Sequence, residues 1–409
     1  MNMLILGIET SCDDTCASIV EAKGGLRRPR FKVLSNVVSS QVKVHQKYGG
    51  VVPTLAAREH AKNIKPVLKR AFQGTGYRIQ DINLIAVTTH PGLLPALLVG
   101  VHSARTIAWW LGKPILGIDH LEAHLVANLL PPQNNAELPR WPSGEPNAKQ
   151  RRTVPRGSAY NSAPALSEIE GWFCDFPAIG LVVSGGHTQL VLMRGFGKTK
   201  IIGETRDDAA GEAFDKVAKM LKLPFPGGPA IQQLAAEWKS KAQNPNAKSN
   251  PKSKIQNIQI TLPRPMIHSG DFDFSFSGLK TAVLYTLRDL GPAVFAESRG
   301  NKRRQPQKRL YAAVAAEFQQ AVVDVLVAKT IRAAKQYKAK TVMLGGGVAA
   351  NLELRKQLGE TLKKELPSIH YSLPTTHFAV DNAAMIAATA YIHWLKGERK
   401  TWKQIKVRA

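Results

Sequence analysis

Two histidines four residues apart, in His120-Leu121-Glu122-Ala123-His124, follow the apolar run 114–118 and open a stretch patterned as a helix to about Leu130. At that spacing both rings project from one helical face, so their nitrogens can meet on one metal ion. Glu122 lies between them at a position that turns it away. That argues against the protease arrangement, in which a glutamate activates a metal-bound water. The pair alone does not make a metal site, because helix-face histidines satisfied by hydrogen bonds show the same spacing. Asp381 offers a third ligand where a small-residue helix begins. An acid at a helix start commonly serves as a cap, and a cap can also turn a carboxylate oxygen toward a cation.

Three glycine turns have the composition of anion cradles. Ser184-Gly185-Gly186 follows the apolar run ending in Val182-Val183, and Gly345-Gly346-Gly347 follows Thr341-Val342-Met343 and leads toward Asn351. Without a Cβ, such turns let backbone N–H groups face a phosphate. Asn351 could read a base or ribose by hydrogen bonds. The third turn is Pro226-Gly227-Gly228-Pro229, preceded by an acidic stretch, 207–216, in which Asp215 could face a ligand hydroxyl or simply lie on a solvated helix face.

The elements that must position these groups repeat. Residues 3–20 read as strand, polar turn (Glu9 to Asp14) and strand; residues 178–194 read the same way around Ser184 to His187. A duplicated α/β domain, with one hairpin opening each half, accounts for both. The expected organisation is a first lobe from 1–130 with a returning segment 375–409, a low-complexity insertion over 131–176, and a second lobe over 177–374. Basic surface insertions are expected at 239–257 and 298–309, and the tail 396–408 is read as a helix end running into a basic extension. At 409 residues and 44% hydrophobic, the chain can bury two cores. Its formal net charge of +26 favours polyanionic partners, although much of that charge falls in expected loops. Cys12, Cys16 and Cys174 are too few for a disulfide framework. No basic leader precedes the first strand. The apolar stretch 92–111 carries Pro95, His102 and Arg105, which fits a buried helix better than a membrane span. A cytoplasmic enzyme is the expectation.

Taken in order, the motifs resemble the tRNA threonylcarbamoyladenosine transferases of the TsaD type. The pieces that carry the resemblance are Gly7-Ile8-Glu9-Thr10-Ser11-Cys12-Asp13-Asp14, 53–60, Pro91-Gly92-Leu93, 120–124, 183–189, 207–216, 226–229, Phe276-Ser277-Gly278-Leu279-Lys280, 345–351 and 381–384. The resemblance implies an ASKHA fold, the actin, Hsp70 and sugar-kinase class, with two lobes around a cleft. It implies transfer of the threonylcarbamoyl group of threonylcarbamoyl-adenylate to N6 of adenosine 37 in tRNAs reading ANN codons, with release of AMP. By position, His120, His124 and Asp381 match the family's ligands to one divalent metal ion per subunit, iron(II) ahead of zinc. Val182, Val183, Ser184, Gly185, Gly186, Asp215, Gly228 and Asn351 match its adenylate-binding residues. Asp13 and Asp14 match an acid pair near the reacting group, for which general-base duty is the expectation. The implied partners are tRNA, a degenerate paralogue and a small P-loop ATPase.

Some positions depart from that pattern. His90 stands where the family has glycine before Pro91-Gly92-Leu93, Asp14 where bacterial relatives carry glutamate, and Cys16 where glycine is common. Val182 and His187 point to the bacterial branch. A small-molecule carbamoyltransferase of the same core would carry an extra domain. A non-catalytic scaffold would lack the histidine pair and glycine turns, both present here.

Overall fold

The first strand, β1 (Met3–Glu9), is buried along its whole length, as a central strand covered on both faces must be. It pairs antiparallel with β2 (Asp14–Lys23), which pairs antiparallel with β3 (Arg30–Ser40). On its other side run β4 (Leu84–His90) and β5 (Ile115–Asp119), both parallel. The sheet order is β3-β2-β1-β4-β5. A second sheet repeats it strand for strand: β8 (Thr199–Glu204), β7 (Thr188–Met193), β6 (Ala178–Val183), β9 (Thr341–Gly345) and β10 (His370–Ser372), with the same antiparallel and parallel pairings. The computed structural model describes residues 2–131, 174–242, 260–296 and 304–408. The remainder of the expected insertions, including most of 131–176, 243–257 and 298–303, lies outside the described residues.

Helices close both faces of the first sheet. After the short α1 (Val42–His45), α2 (Pro53–Phe72) and α3 (Leu94–Leu111) bury Val67, Val101 and Ala104 against Leu6, Ile8 and Val87. The opposite face takes α4 (His120–Val126) and, from the far end of the chain, α11 (Ala383–Leu395), whose Met385 and Ile386 meet Ile5, Ala86 and Ile118. Gly7 permits that approach, since a Cβ there would collide with the Ala383 carbonyl. The start of α11 is thereby pressed against β1, two residues before Glu9.

The second sheet is covered by α5 (Ala210–Met220), α6 (Gly227–Ala242), α7 (Ser277–Ala296), α8 (Arg304–Gln336) and α9 (Leu352–Glu365), with the short α10 (Thr376–Ala379) leading back to the first lobe. Two of these helices extend into sequence read as loop. Residues 239–242 complete α6, and 304–309 open α8, with Pro306 in the first turn where its missing N–H costs nothing. The segment Gln307–Gln336 is long and apolar enough to cross a membrane, but 78% of its most apolar window is buried inside the protein, as in a core helix.

Candidate active site and metal centre

Strand β5 ends at Asp119, whose carboxylate accepts the N–H groups of Leu121 (2.7 Å) and Glu122 (3.0 Å) and so starts α4 at His120. His120 and His124 are both buried, and their Nε2 atoms stand 3.1 Å apart. Asp381 arrives from the other end of the chain, its Oδ1 3.2 Å from Nε2 of His124 and 3.5 Å from Nε2 of His120. It is free to do so because it is not the cap of α11. Asn382 is, accepting Met385 N–H at 2.9 Å. The three groups form a cluster able to hold a metal ion. Bonds of ~2.1 Å to one ion put ligand atoms ~3.0 Å apart in an octahedral site and ~3.4 Å apart in a tetrahedral one, so the observed spacings fit.

Glu9 prepares the histidines, a role the sequence reading did not assign. Its fully buried carboxylate lies 3.0 Å from Nδ1 of His120 and also accepts Ser11 N–H and the Thr88 hydroxyl. Accepting the Nδ1 hydrogen leaves Nε2 as the nitrogen that gives up its proton to a metal, the carboxylate–histidine pairing common around metals. Burial alone would depress His120, but the Glu9 and Asp381 carboxylates outweigh it and raise it to about 9. Burial would likewise raise Asp381, yet the neighbouring His120 and His124 bring it down to about 2. His124 is lowered by burial and by the charge of His120. Its Nδ1 is buried without a hydrogen-bond partner. Glu122 does point away, to His393 Nε2 (3.0 Å) and Gly197 N–H (3.0 Å).

Asp13 and Asp14 sit half-buried where the first hairpin turns into β2. Burial, then the Asp381 charge, raises Asp13. Burial, then the Asp13 charge, pushes Asp14 up to about 7, and Asp14 Oδ1 has no hydrogen-bond partner. The backbone of this tip is tied down: Gln41 N–H donates to the Asp13 carbonyl (3.0 Å), and His60 Nε2 lies 3.0 Å from the Cys12 carbonyl. Cys16 is buried and Cys12 half-buried. His90 ends β4 where the pairing with β5 shifts register after Thr88, with its Nε2 3.3 Å from Asp119.

In the second lobe the side chains of Val182 and Val183 are buried, which leaves only their backbone for a ligand. The tip beyond them is braced by Ser184 N–H to the His187 carbonyl (2.8 Å) and Gly211 N–H to the Ser184 carbonyl (3.1 Å). Gly185 and Gly186 are exposed, with open space where a Cβ would stand. Gly345 and Gly346 form the seam. A Cβ on Gly345 would lie 2.9 Å from the His124 carbonyl, and one on Gly346 would collide with that of Val183. Asp215 accepts Gly227 N–H at 2.6 Å beside the open Gly228. Asn351 is engaged at both ends of its amide: its oxygen caps α9 through Glu353 and Leu354 N–H, and its nitrogen donates to Gln319. The lobes meet electrostatically, since Asp215 feels the charge of Asp13, and His187 feels those of His120 and Asp119.

The sequence profile described as TsaD, tRNA N6-adenosine threonylcarbamoyltransferase, matches residues 32–142 and 159–388. A protein of that name from Geobacillus thermodenitrificans (strain NG80-2) is 41% identical over 398 residues, 97% of this chain and 94% of its own. Another, from Syntrophomonas wolfei, is 41% identical over 391 residues, covering 96% and 92%. The chain belongs to this family.

It is therefore an acyltransferase of this tRNA-modifying family, with the ASKHA fold. Among solved structures, T. kodakarensis HypF is similar at 13% identity and a TM-score of 0.49, covering 97% of this chain and 48% of the other. The threonylcarbamoyltransferase family model spans the histidine pair, the second-lobe hairpin of β6 and β7, and Asp381.

Proposed function

We propose that the enzyme transfers the threonylcarbamoyl group of L-threonylcarbamoyl-adenylate to N6 of adenosine 37 in tRNAs that read ANN codons. The observation that carries this reading is the convergence of His120, His124 and Asp381 between an acidic tip and a glycine cradle. In the step itself the N6 lone pair bonds to the carbamoyl carbon, the bond from that carbon to the phosphate oxygen breaks, and AMP leaves with the electron pair. One N6 proton must go elsewhere. Asp14, raised to about 7, and Asp13 are the acceptors we assign to it. Turnover is then expected to rise with pH as Asp14 loses its proton.

The exposed N–H groups of Gly185 and Gly186 are assigned to the adenylate phosphate, with the backbone of Val182, Val183 and Ser184 setting the tip's position. Asp215 and Gly228 are assigned to the nucleoside, and Asn351 to the frame behind it. His120, His124 and Asp381 would hold one divalent ion, iron(II) in preference to zinc, which when bound supplies Lewis-acid charge to the substrate's oxygens. Glu9 keeps His120 in the ligating tautomer. A degenerate paralogue and a P-loop ATPase are the proposed protein partners.

The test is transfer of labelled threonine, presented as the adenylate, to an ANN-reading tRNA in the presence of those partners. Label on the normal tRNA, absent when adenosine 37 is guanosine and lost in His120→Ala/His124→Ala, is expected. Absence of label with folded, metal-loaded protein and competent partners would refute the tRNA reading.

A further inference from the structure

Four of the chain's seven tryptophans stand in one corner of the first lobe: Trp109 and Trp110 at the end of α3, Trp394 in α11 and Trp402 in the tail. Between the end of α3 and residues 399–403 opens a groove of about 520 Å³, lined by Trp109, Trp402, Lys113, Arg399, Lys400 and Lys403 and by no acidic residue. Trp109 is 63% exposed and Trp110 60%. Lys113, Lys400 and Lys403 have no acidic partner among the described residues. The groove is preformed. Arg105 Nε donates to the Trp402 carbonyl at 3.0 Å, and Ile115 N–H donates to that of Lys400 at 3.1 Å. Arg399 lies over the Trp394 ring at 3.2 Å, and the Lys403 ammonium 5.6 Å from the centre of the Trp402 ring.

We infer that this groove is a second docking surface for the tRNA, remote from the reacting base. It takes backbone phosphates on Lys113, Lys400 and Lys403 and a base or ribose face on Trp109. Cations that follow a backbone, interleaved with aromatic platforms, are the chemistry that single-stranded or looped nucleic acid requires. A protein occupant would have to match four cations, and the centres of protein interfaces are depleted in lysine. Placement suits one tRNA spanning both sites. Pro114, on the groove, and His120, at the metal cluster, are joined by β5, an edge strand of the sheet. Six residues of extended chain set the two about 20 Å apart, well within the length of a tRNA arm. The inference rests on tRNA being the substrate.

The closing experiment measures the KM for tRNA in threonylcarbamoyl transfer, and the Kd for the same tRNA across a salt series. It compares the wild-type enzyme, Lys113→Glu/Lys400→Glu/Lys403→Glu, Trp109→Ala and, as an exposed lysine that does not line the groove, the control Lys200→Glu. We expect the triple variant to raise both constants about tenfold or more and to flatten the salt slope by about 2, each phosphate contact carrying slightly under one. Trp109→Ala should raise them severalfold with little change in salt slope, and Lys200→Glu should stay within twofold. Of the five side chains changed, Trp109, Lys403 and Lys200 are exposed and Lys113 and Lys400 half-buried, and thermal melting checks that each variant folds. Tenfold effects in the control would overturn the inference, as would a KM and Kd within twofold of wild type in both groove variants. Loss of assembly with a protein partner at unchanged tRNA affinity would overturn it in favour of a protein occupant. If wild type itself transfers nothing, the functional reading fails, which is distinguishable from a groove variant failing alone.

Discussion

Glu9→Gln isolates the contribution of a residue that acts through His120. The carboxylate accepts three hydrogens, from Ser11 N–H, the Thr88 hydroxyl and His120 Nδ1, and is fully buried. An amide of the same shape accepts at its oxygen only, so its NH2 must face at least one of these donors. With the oxygen kept on Ser11, the NH2 meets Thr88 and His120. The imidazole then accepts at Nδ1 and carries its proton on Nε2, where a metal needs the lone pair. Losing such a partner lowers metal affinity by roughly 10–100-fold, and a buried mismatched donor costs about 1–3 kcal/mol of stability. Metal content after dialysis against a graded chelator, with melting of the metal-free protein, reads both effects. A variant that retains metal within a factor of two of wild type would refute the tautomer argument, whatever its activity.

Other perturbations test separate parts of the site. Asp14, raised to about 7, keeps a proton in the native state that the unfolded chain releases from about pH 4, so its contribution to stability falls as pH rises between those values. In metal-free protein, Asp14→Asn should therefore gain roughly 1–3 kcal/mol over wild type at pH 8, discounted for its partial exposure, and little at pH 4. A melting difference independent of pH would refute this. Gly346 has φ 88° and ψ 162°, a region open essentially to glycine alone, and Gly346→Ala should cost about 2–4 kcal/mol in denaturant unfolding. Asn382→Ala removes the α11 cap, for about 1 kcal/mol, and should weaken metal retention by freeing the adjacent Asp381; unaltered retention would show that the cap does not position the ligand.

The histidine pair was legible because its geometry is local: four residues on a helix fix two rings on one face whatever lies around them. The duplicated hairpins were legible for the same reason, each strand announcing itself by its apolar run. Asp381 was readable only as one of two things, ligand or cap, since the neighbouring Asn382 could take the cap and nothing local decides between them. Glu9 ends an otherwise apolar strand, a visible signal, but its partner lies 111 residues away and is found only by folding. Asn351 has a residue type suited to reading a base, yet the helix that follows it takes its oxygen first. Residues 304–309 read as a surface insertion because their charge hides the helical pattern, whereas they open the long helix α8 with a proline in its first turn.

The repeated sheet order has a consequence for how any ligand must lie. Two copies of one hairpin confront each other, but they have diverged in electrical character: one tip ends in carboxylates, the other in small residues whose backbone donates. A symmetric pair of tips would accept a polar molecule either way round. This pair is polarised, attracting a molecule's proton-donating end to one side and its anionic end to the other. On the proposed chemistry, the direction of group transfer across the cleft follows from the broken symmetry of the two halves.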